Sequence, residues 1–212
     1  MTIFFDGAEL TRGAEEFRSL RSRLYLARKQ QSFKSLLVAS ALPKEGRSFV
    51  ATNLARVLAL QAGSRVLLVD ADLRNPRLHS AFGTSAQPGL AEYLLHEVEE
   101  STIMQRGRSD SLFLIPSGRT VQGQSELVAN GRVQSLLDRV ESFFDWIIID
   151  SPPAISVTDA GLLAHCCDGV LLVVRSHSTP FDAVQKARDR FREESLIGVV
   201  LNDIPAKASP QT

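Results

Sequence analysis

The sequence has 212 residues, 44% of them hydrophobic, and its 24 basic side chains balance 24 acidic ones. That length suits one domain with at most an arm, and the apolar share is enough to bury a sizeable core. Zero formal net charge supplies no bulk attraction to nucleic acid or anionic lipid, so neither is an expected partner.

The chain opens on Met1-Thr-Ile-Phe-Phe-Asp-Gly7, which has no basic stretch followed by a long apolar run, so a secretory leader is not expected. Residues 13–30 have helical spacing, with Phe17, Leu20 and Leu24 on one stripe and Glu15, Arg18 and Arg21 beside it. Ser35-Leu-Leu-Val-Ala-Ser40 is a short apolar run without polar alternation, as a strand buried on both faces requires. It leads into Ser40-Ala-Leu-Pro-Lys-Glu-Gly-Arg-Ser48 and then a helical pattern through Phe49, Val50, Asn53, Leu54, Val57 and Leu58.

A second buried run, Val66–Val69, ends in Asp70-Ala-Asp72-Leu-Arg74. Residues 97–110 and 116–126 are polar and read as surface connections around a third strand, Leu112–Ile115. Val133, Leu136, Leu137 and Val140 mark a helix, and Trp146–Ile149 is a strand ending in Asp150-Ser-Pro-Pro153. His165, Cys166 and Cys167 lack structural-zinc spacing, and adjacent cysteines make no disulfide framework, so the thiols read as small buried side chains. Val170–Val174 is a strand, Phe181, Val184, Ala187, Arg188 and Phe191 mark a helix, and Ile197–Leu201 is the last strand, followed by Asn202. The expected division is a helical arm over 1–33, a nucleotide-binding domain over 34–204 and a mobile tail over 205–212. No apolar run approaches the ~20 residues of a membrane helix, so a cytoplasmic protein is expected, with any membrane association supplied by a partner.

Strands alternating with helices predict an α/β fold, a doubly wound and mostly parallel sheet covered on both sides. In such sheets ligands bind beyond the carboxyl ends of the strands, where the polar motifs of this sequence lie. The loop Ser40–Ser48 sits between a strand and a helix, where converging N–H groups and the helix dipole favour an anion. Gly46 permits close backbone approach, and the Ser48 hydroxyl is placed to hold Mg²⁺ as in G-x-x-x-x-G-K-S/T loops. The loop departs from that pattern at Ala41, in place of the first Gly, and at Arg47, in place of the Lys. An Asp at a strand end commonly caps a turn. Three of them, Asp70, Asp72 and Asp150, would repel one another unless a cation joins them, so together with the loop they predict a Mg²⁺-nucleotide site.

These motifs resemble those of the bacterial tyrosine kinases of capsule and exopolysaccharide synthesis. That family sits among the P-loop ATPases with deviant Walker motifs, which also include chromosome- and septum-positioning proteins of the ParA/MinD kind. Asp70-Ala-Asp72-Leu-Arg74 resembles the Walker A′ motif, Asp150-Ser-Pro-Pro153 resembles Walker B, and Val157-Thr-Asp-Ala160 resembles the stretch that follows it. Glu15-x-x-Arg18-x-x-Arg21 matches the oligomerisation motif E-x-x-R-x-x-R. The resemblance implies ATP and Mg²⁺ as cofactors. Pro43, Lys44, Glu45, Gly46, Arg47, Ser48 and Phe49 would form the nucleotide loop, and Asn202 would contact adenine. Ser48, Asp72 and Asp150 would organise Mg²⁺. Asp70 would serve as base or metal ligand, its division of labour with Asp72 left open, and Arg47 would face the transferred phosphate. Implied partners are further copies of the chain and a membrane adaptor of the polysaccharide chain-length regulator type.

The sequence departs from the family in two places. Arg47 keeps the charge of the Walker lysine but offers a broad planar fork instead of a compact ammonium. It either binds phosphate bidentately or holds the γ-phosphate out of line, which leaves a kinase and a catalytically silent nucleotide-binding regulator both open. A counterpart of the family's C-terminal tyrosine cluster is not expected, since the tyrosines of this sequence are Tyr25 and Tyr93. A ParA/MinD-type positioning ATPase is a weaker fit. Leu42 stands where such proteins carry a lysine, and Pro43-Lys44 stands where they carry Gly-Gly.

Overall fold

The computed structural model describes residues 12–107 and 110–204. The expected mobile tail at 205–212 and the first eleven residues of the expected arm lie outside them. In chain order the elements are α1 (Arg12–Gln30), β1 (Ser35–Ser40), α2 (Arg47–Ala59), β2 (Val66–Asp70), α3 (Leu78–Phe82), α4 (Leu90–Leu94) and α5 (Glu100–Ile103). There follow β3 (Gln105–Arg106), β4 (Leu112–Ile115), α6 (Gln124–Ala129), α7 (Arg132–Val140), β5 (Trp146–Asp150), α8 (Asp159–His165), β6 (Gly169–Arg175), α9 (Phe181–Arg188) and β7 (Leu196–Asn202).

The strands form one sheet in the order β3-β4-β2-β5-β1-β6-β7. Every neighbouring pair is parallel except β3 with β4. β1, β2 and β5 are buried along their whole length, which is why their sequences are uninterrupted apolar runs. β7 closes one edge, and Val199 and Leu201 on it are exposed. One face of the sheet is covered by α1 and α2 through Phe17, Leu24, Val50, Leu54 and Leu58. The other is covered by α4 and by α6–α9, with Val133, Leu136, Leu137 and Val140 of α7 turned inward as their spacing predicts. Among the described residues no helix is long and apolar enough to cross a membrane.

Two readings of the sequence need correction. The segments 97–110 and 116–126 are not plain surface connections: they carry α5, the edge strand β3 and the start of α6. Ile103 and Val121 within them are buried in the core. Isolated apolar residues in a polar stretch make no periodic signal, yet each finds a partner surface once the sheet exists. In α9 the helical stripe is also incomplete, because Phe181 is 75% exposed while Ala183 and Ala187 face the core.

α1 is seated on the domain by contacts of several kinds. Phe17 meets Phe49 of α2 edge-on at 5.7 Å. Arg21 Nη1 donates to the carbonyl of Val57 at 3.0 Å, satisfying one of the acceptors that a helix end leaves open. Tyr25 packs edge-on against Trp146 of β5, with ring centroids 5.3 Å apart.

Candidate functional site

The sheet order brings the three acidic motifs to one place. β5 lies between β1 and β2, and its last residue, Asp150, is in register with Asp70 of β2 and Val38 of β1. Side chains at matched positions of neighbouring strands point to the same face, so Asp70 and Asp150 are lateral neighbours. The loop after β1 passes over them and is tied down by the Ala154 N–H donating to the Ser40 carbonyl at 2.8 Å.

The turn of that loop is braced by its own Glu45 and by Thr179 and Asn202 from farther along the chain. Gly46, with φ of +93°, sits just before α2 in the left-handed region that glycine tolerates. A Cβ there would stand 1.9 Å from Asn202 Nδ2, so the close approach of β7's last residue also demands glycine. Asn202 Nδ2 donates to the Glu45 carbonyl at 2.9 Å, joining the end of β7 to the loop. Glu45 is buried. Its Oε2 accepts the Leu42 N–H at 2.7 Å, and its Oε1 accepts the Thr179 hydroxyl. Pro43 and Lys44 are exposed at the crest, and Lys44 has a positive φ of 66°. Phe49 is half-buried against Phe17 of α1.

Arg47 turns inward at the first position of α2. Its Nε donates to Asp150 Oδ1 at 3.0 Å, its Nη1 to Ser40 Oγ at 3.0 Å and its Nη2 to Asp72 Oδ2 at 2.8 Å. The guanidinium thus spans Asp72 and Asp150, with side-chain exposures of 8% for Arg47, 6% for Asp72 and 1% for Asp150. The other Asp72 oxygen accepts the N–H groups of Arg74 at 3.3 Å and Asn75 at 3.0 Å. Ser48 hydrogen-bonds Asp150 through its hydroxyl. Burial raises the Asp150 pKa, and the Arg47 guanidinium and the Ser48 hydroxyl pull it back towards the carboxylate.

Asp70 is different. Its Oδ2 accepts N–H groups from Arg77 at 3.1 Å and Leu78 at 3.0 Å, while its Oδ1 is buried with no hydrogen-bond partner. Burial first, then the neighbouring Asp150 charge, push its pKa up to about 7. That value suits a group exchanging a proton near neutral pH.

Arg47, Ser48, Asp70, Asp72 and Asp150 therefore form one cluster, while Glu45, Gly46 and Asn202 form the brace above it. Arg74, which the sequence places beside the acid pair, does not join the cluster with its side chain. Its Nε donates to Asp159 Oδ2 at 3.0 Å and its Nη2 to Ser125 Oγ at 3.0 Å, tying the loop after β2 to α6 and α8. Ser40 and Thr179 were missed as site residues. Ser40 was visible as the first residue of the loop, whereas Thr179 carries no local signal because its partner lies far away in the chain. Glu15 and Arg18 pair with each other on the outer side of α1, and Arg21 is held by Val57.

A sequence-family model described as an AAA domain matches residues 45–190. The chain is 33% identical over 191 residues to the tyrosine-protein kinase YwqD of Bacillus subtilis strain 168, covering 89% of this chain and 80% of the relative. It is 32% identical over 192 residues to the tyrosine-protein kinase ptk of Acinetobacter johnsonii, covering 90% of this chain but only 26% of that relative. The chain thus spans most of one relative and about a quarter of the other. Among solved structures, the kinase domain of the Escherichia coli tyrosine kinase ETK superposes with a TM-score of 0.84 at 29% identity. The match covers 94% of this chain and 80% of that one.

Proposed function

Because the chain belongs to the bacterial tyrosine-protein kinase family of P-loop ATPases, we propose that it binds ATP at the loop Ser40–Ser48 and carries the γ-phosphoryl group to a protein tyrosine in capsule or exopolysaccharide assembly. The observation that carries this reading is the convergence of Asp70, Asp72 and Asp150 beneath a strand-to-helix phosphate loop. The N–H groups at the start of α2 receive the phosphates, helped by the helix dipole. Asp70 takes the tyrosine hydroxyl proton, the task for which its raised pKa suits it. Asp70 is fully buried, so that step requires the loop after β2 to open. Asn202, at the rim of the loop, faces the base, and Glu15 and Arg18 on α1 join copies of the chain. A membrane adaptor supplies the link to the cell envelope.

The donor chemistry of Ser48, Asp72 and Asp150 suits Mg²⁺, but their arrangement does not. Asp72 Oδ2 and Asp150 Oδ1 each face an Arg47 nitrogen, and Asp72 Oδ1 has two backbone donors. The same contacts favour a second reading, a nucleotide-binding regulator that assembles without transferring phosphate.

The two readings separate when the purified chain is given ATP, Mg²⁺, the adaptor's cytoplasmic segment and a tyrosine substrate. The kinase reading expects phosphotyrosine, and the regulatory reading expects ATP affinity without turnover until Arg47→Lys restores it. Failure to bind ATP in the presence of the adaptor would sink both.

A further inference from the structure

The Arg47 guanidinium lies where a divalent ion would bridge Asp72 and Asp150. We propose that Arg47 is the resident cation of this site, so that the chain binds nucleotide in a metal-independent manner, as free ATP or ADP. The inference rests on the nucleotide-binding reading above, but its central claim concerns the cation and is separable from it.

Three observations support the assignment. The fork matches its surroundings atom for atom, since Nε, Nη1 and Nη2 each donate to a different protein oxygen at 2.8–3.0 Å. A guanidinium does not lose its proton in proteins, so its charge cannot be switched off to make room for another cation. The cluster is also buried, and removing one member of a buried ion pair leaves an uncompensated charge at high cost. A metal entering between the two aspartates would have to expel the guanidinium or sit beside it. The first choice breaks three hydrogen bonds of a buried fork, and the second sets two cations against each other where solvent screens them least.

Lysine at the same position would behave differently. Its single ammonium lacks the fork that reaches Ser40, Asp72 and Asp150 together, and it leaves carboxylate oxygens for a metal. The Lys-to-Arg exchange therefore does more than reshape a phosphate contact. It exchanges a dissociable metal for a covalently tethered cation. Nucleotide phosphates then meet the backbone N–H groups of the α2 N-terminus, with part of the carboxylate charge behind them already balanced from within.

The test has two arms. In the first, ADP affinity of the wild type is measured by calorimetry with Mg²⁺ and with EDTA, and again for Arg47→Lys. The expected result is a change of less than about twofold for the wild type and of about tenfold or more for the variant. Strengthening of the wild type by Mg²⁺ as large as that of the variant overturns the proposal. In the second arm, Mn²⁺ is added without nucleotide to the wild type and to Arg47→Ala. Bound Mn²⁺ is followed by electron paramagnetic resonance and folding by the thermal midpoint. The proposal expects Mn²⁺ to bind the variant and raise its midpoint while doing neither to the wild type. Mn²⁺ bound by the wild-type carboxylates overturns it, and this measurement stands even if Arg47→Ala does not fold. Wild type that binds no ADP under either condition refutes nucleotide binding, and the Mn²⁺ arm still decides the cation.

Discussion

Asp70 carries the least satisfied atom of the site. Its Oδ1 has no partner, and its carboxyl is raised from 3.8 to about 7 by burial and by Asp150. Between those values the folded protein holds a proton that the unfolded chain has released. Asp70 therefore makes stability fall as pH rises from about 4 to about 7, with the full loss present above 7. Asp70→Asn removes the titration and should be more stable than the wild type at pH 8, by up to roughly 4 kcal/mol at 1.36 kcal/mol per unit. The two proteins should draw level towards pH 4. Urea denaturation of both across that range checks this, and parallel profiles would refute it. Asp70, Asp72 and Asp150 were legible as a set because each follows a buried run. Their different states were not, because hydrogen-bond partners such as Leu78 and Arg47 are chosen in three dimensions.

At the scale of elements, the attachment of α1 shows how far periodicity reaches. The stripe Phe17, Leu20 and Leu24 was readable from helical spacing, and Phe17 and Leu24 are buried. The contact of Tyr25 with Trp146 was not readable, since it joins α1 to the middle of the sheet. Trp146 Nε1 donates to the Tyr25 hydroxyl at 3.3 Å, and Trp146 is fully buried. Tyr25→Phe leaves that donor without its partner and should cost about 1–2 kcal/mol. Trp146 is the chain's single tryptophan, so its fluorescence during urea unfolding reports the loss directly. An unchanged midpoint would show that the hydrogen bond contributes nothing. The same contact makes Tyr25 a poor phosphoacceptor while α1 is docked, and Tyr93, 1% exposed, is a poorer one.

At the scale of the whole molecule, the prediction concerns assembly through α1. Glu15 and Arg18 lie together on the outer side of α1, whereas Arg21 spends Nη1 on the Val57 carbonyl of its own chain. The motif E-x-x-R-x-x-R therefore divides into an ion pair on the outer side of α1 and one residue that anchors the helix. Light scattering on Glu15→Ala with Arg18→Ala should give a monomer mass with an almost unchanged thermal midpoint. Arg21→Ala should instead lower the midpoint, through loss of one hydrogen bond to a helix end that stabilises by about 1 kcal/mol. A double variant that keeps the wild-type mass would remove those two residues from the interface.

The amino-acid sequence by itself determined the class of this protein. Buried apolar runs, turn residues and acids at strand ends are written by near neighbours in the chain, and local physics is enough to read them. It could also name the position where the chain leaves its family, Arg47. Only the tertiary structure decided what Arg47 does there, because its partners Asp72 and Asp150 lie 25 and 103 residues away in sequence. The order of β1, β5 and β2 sets those carboxylates side by side, and in a buried site the nearest permanent cation takes them.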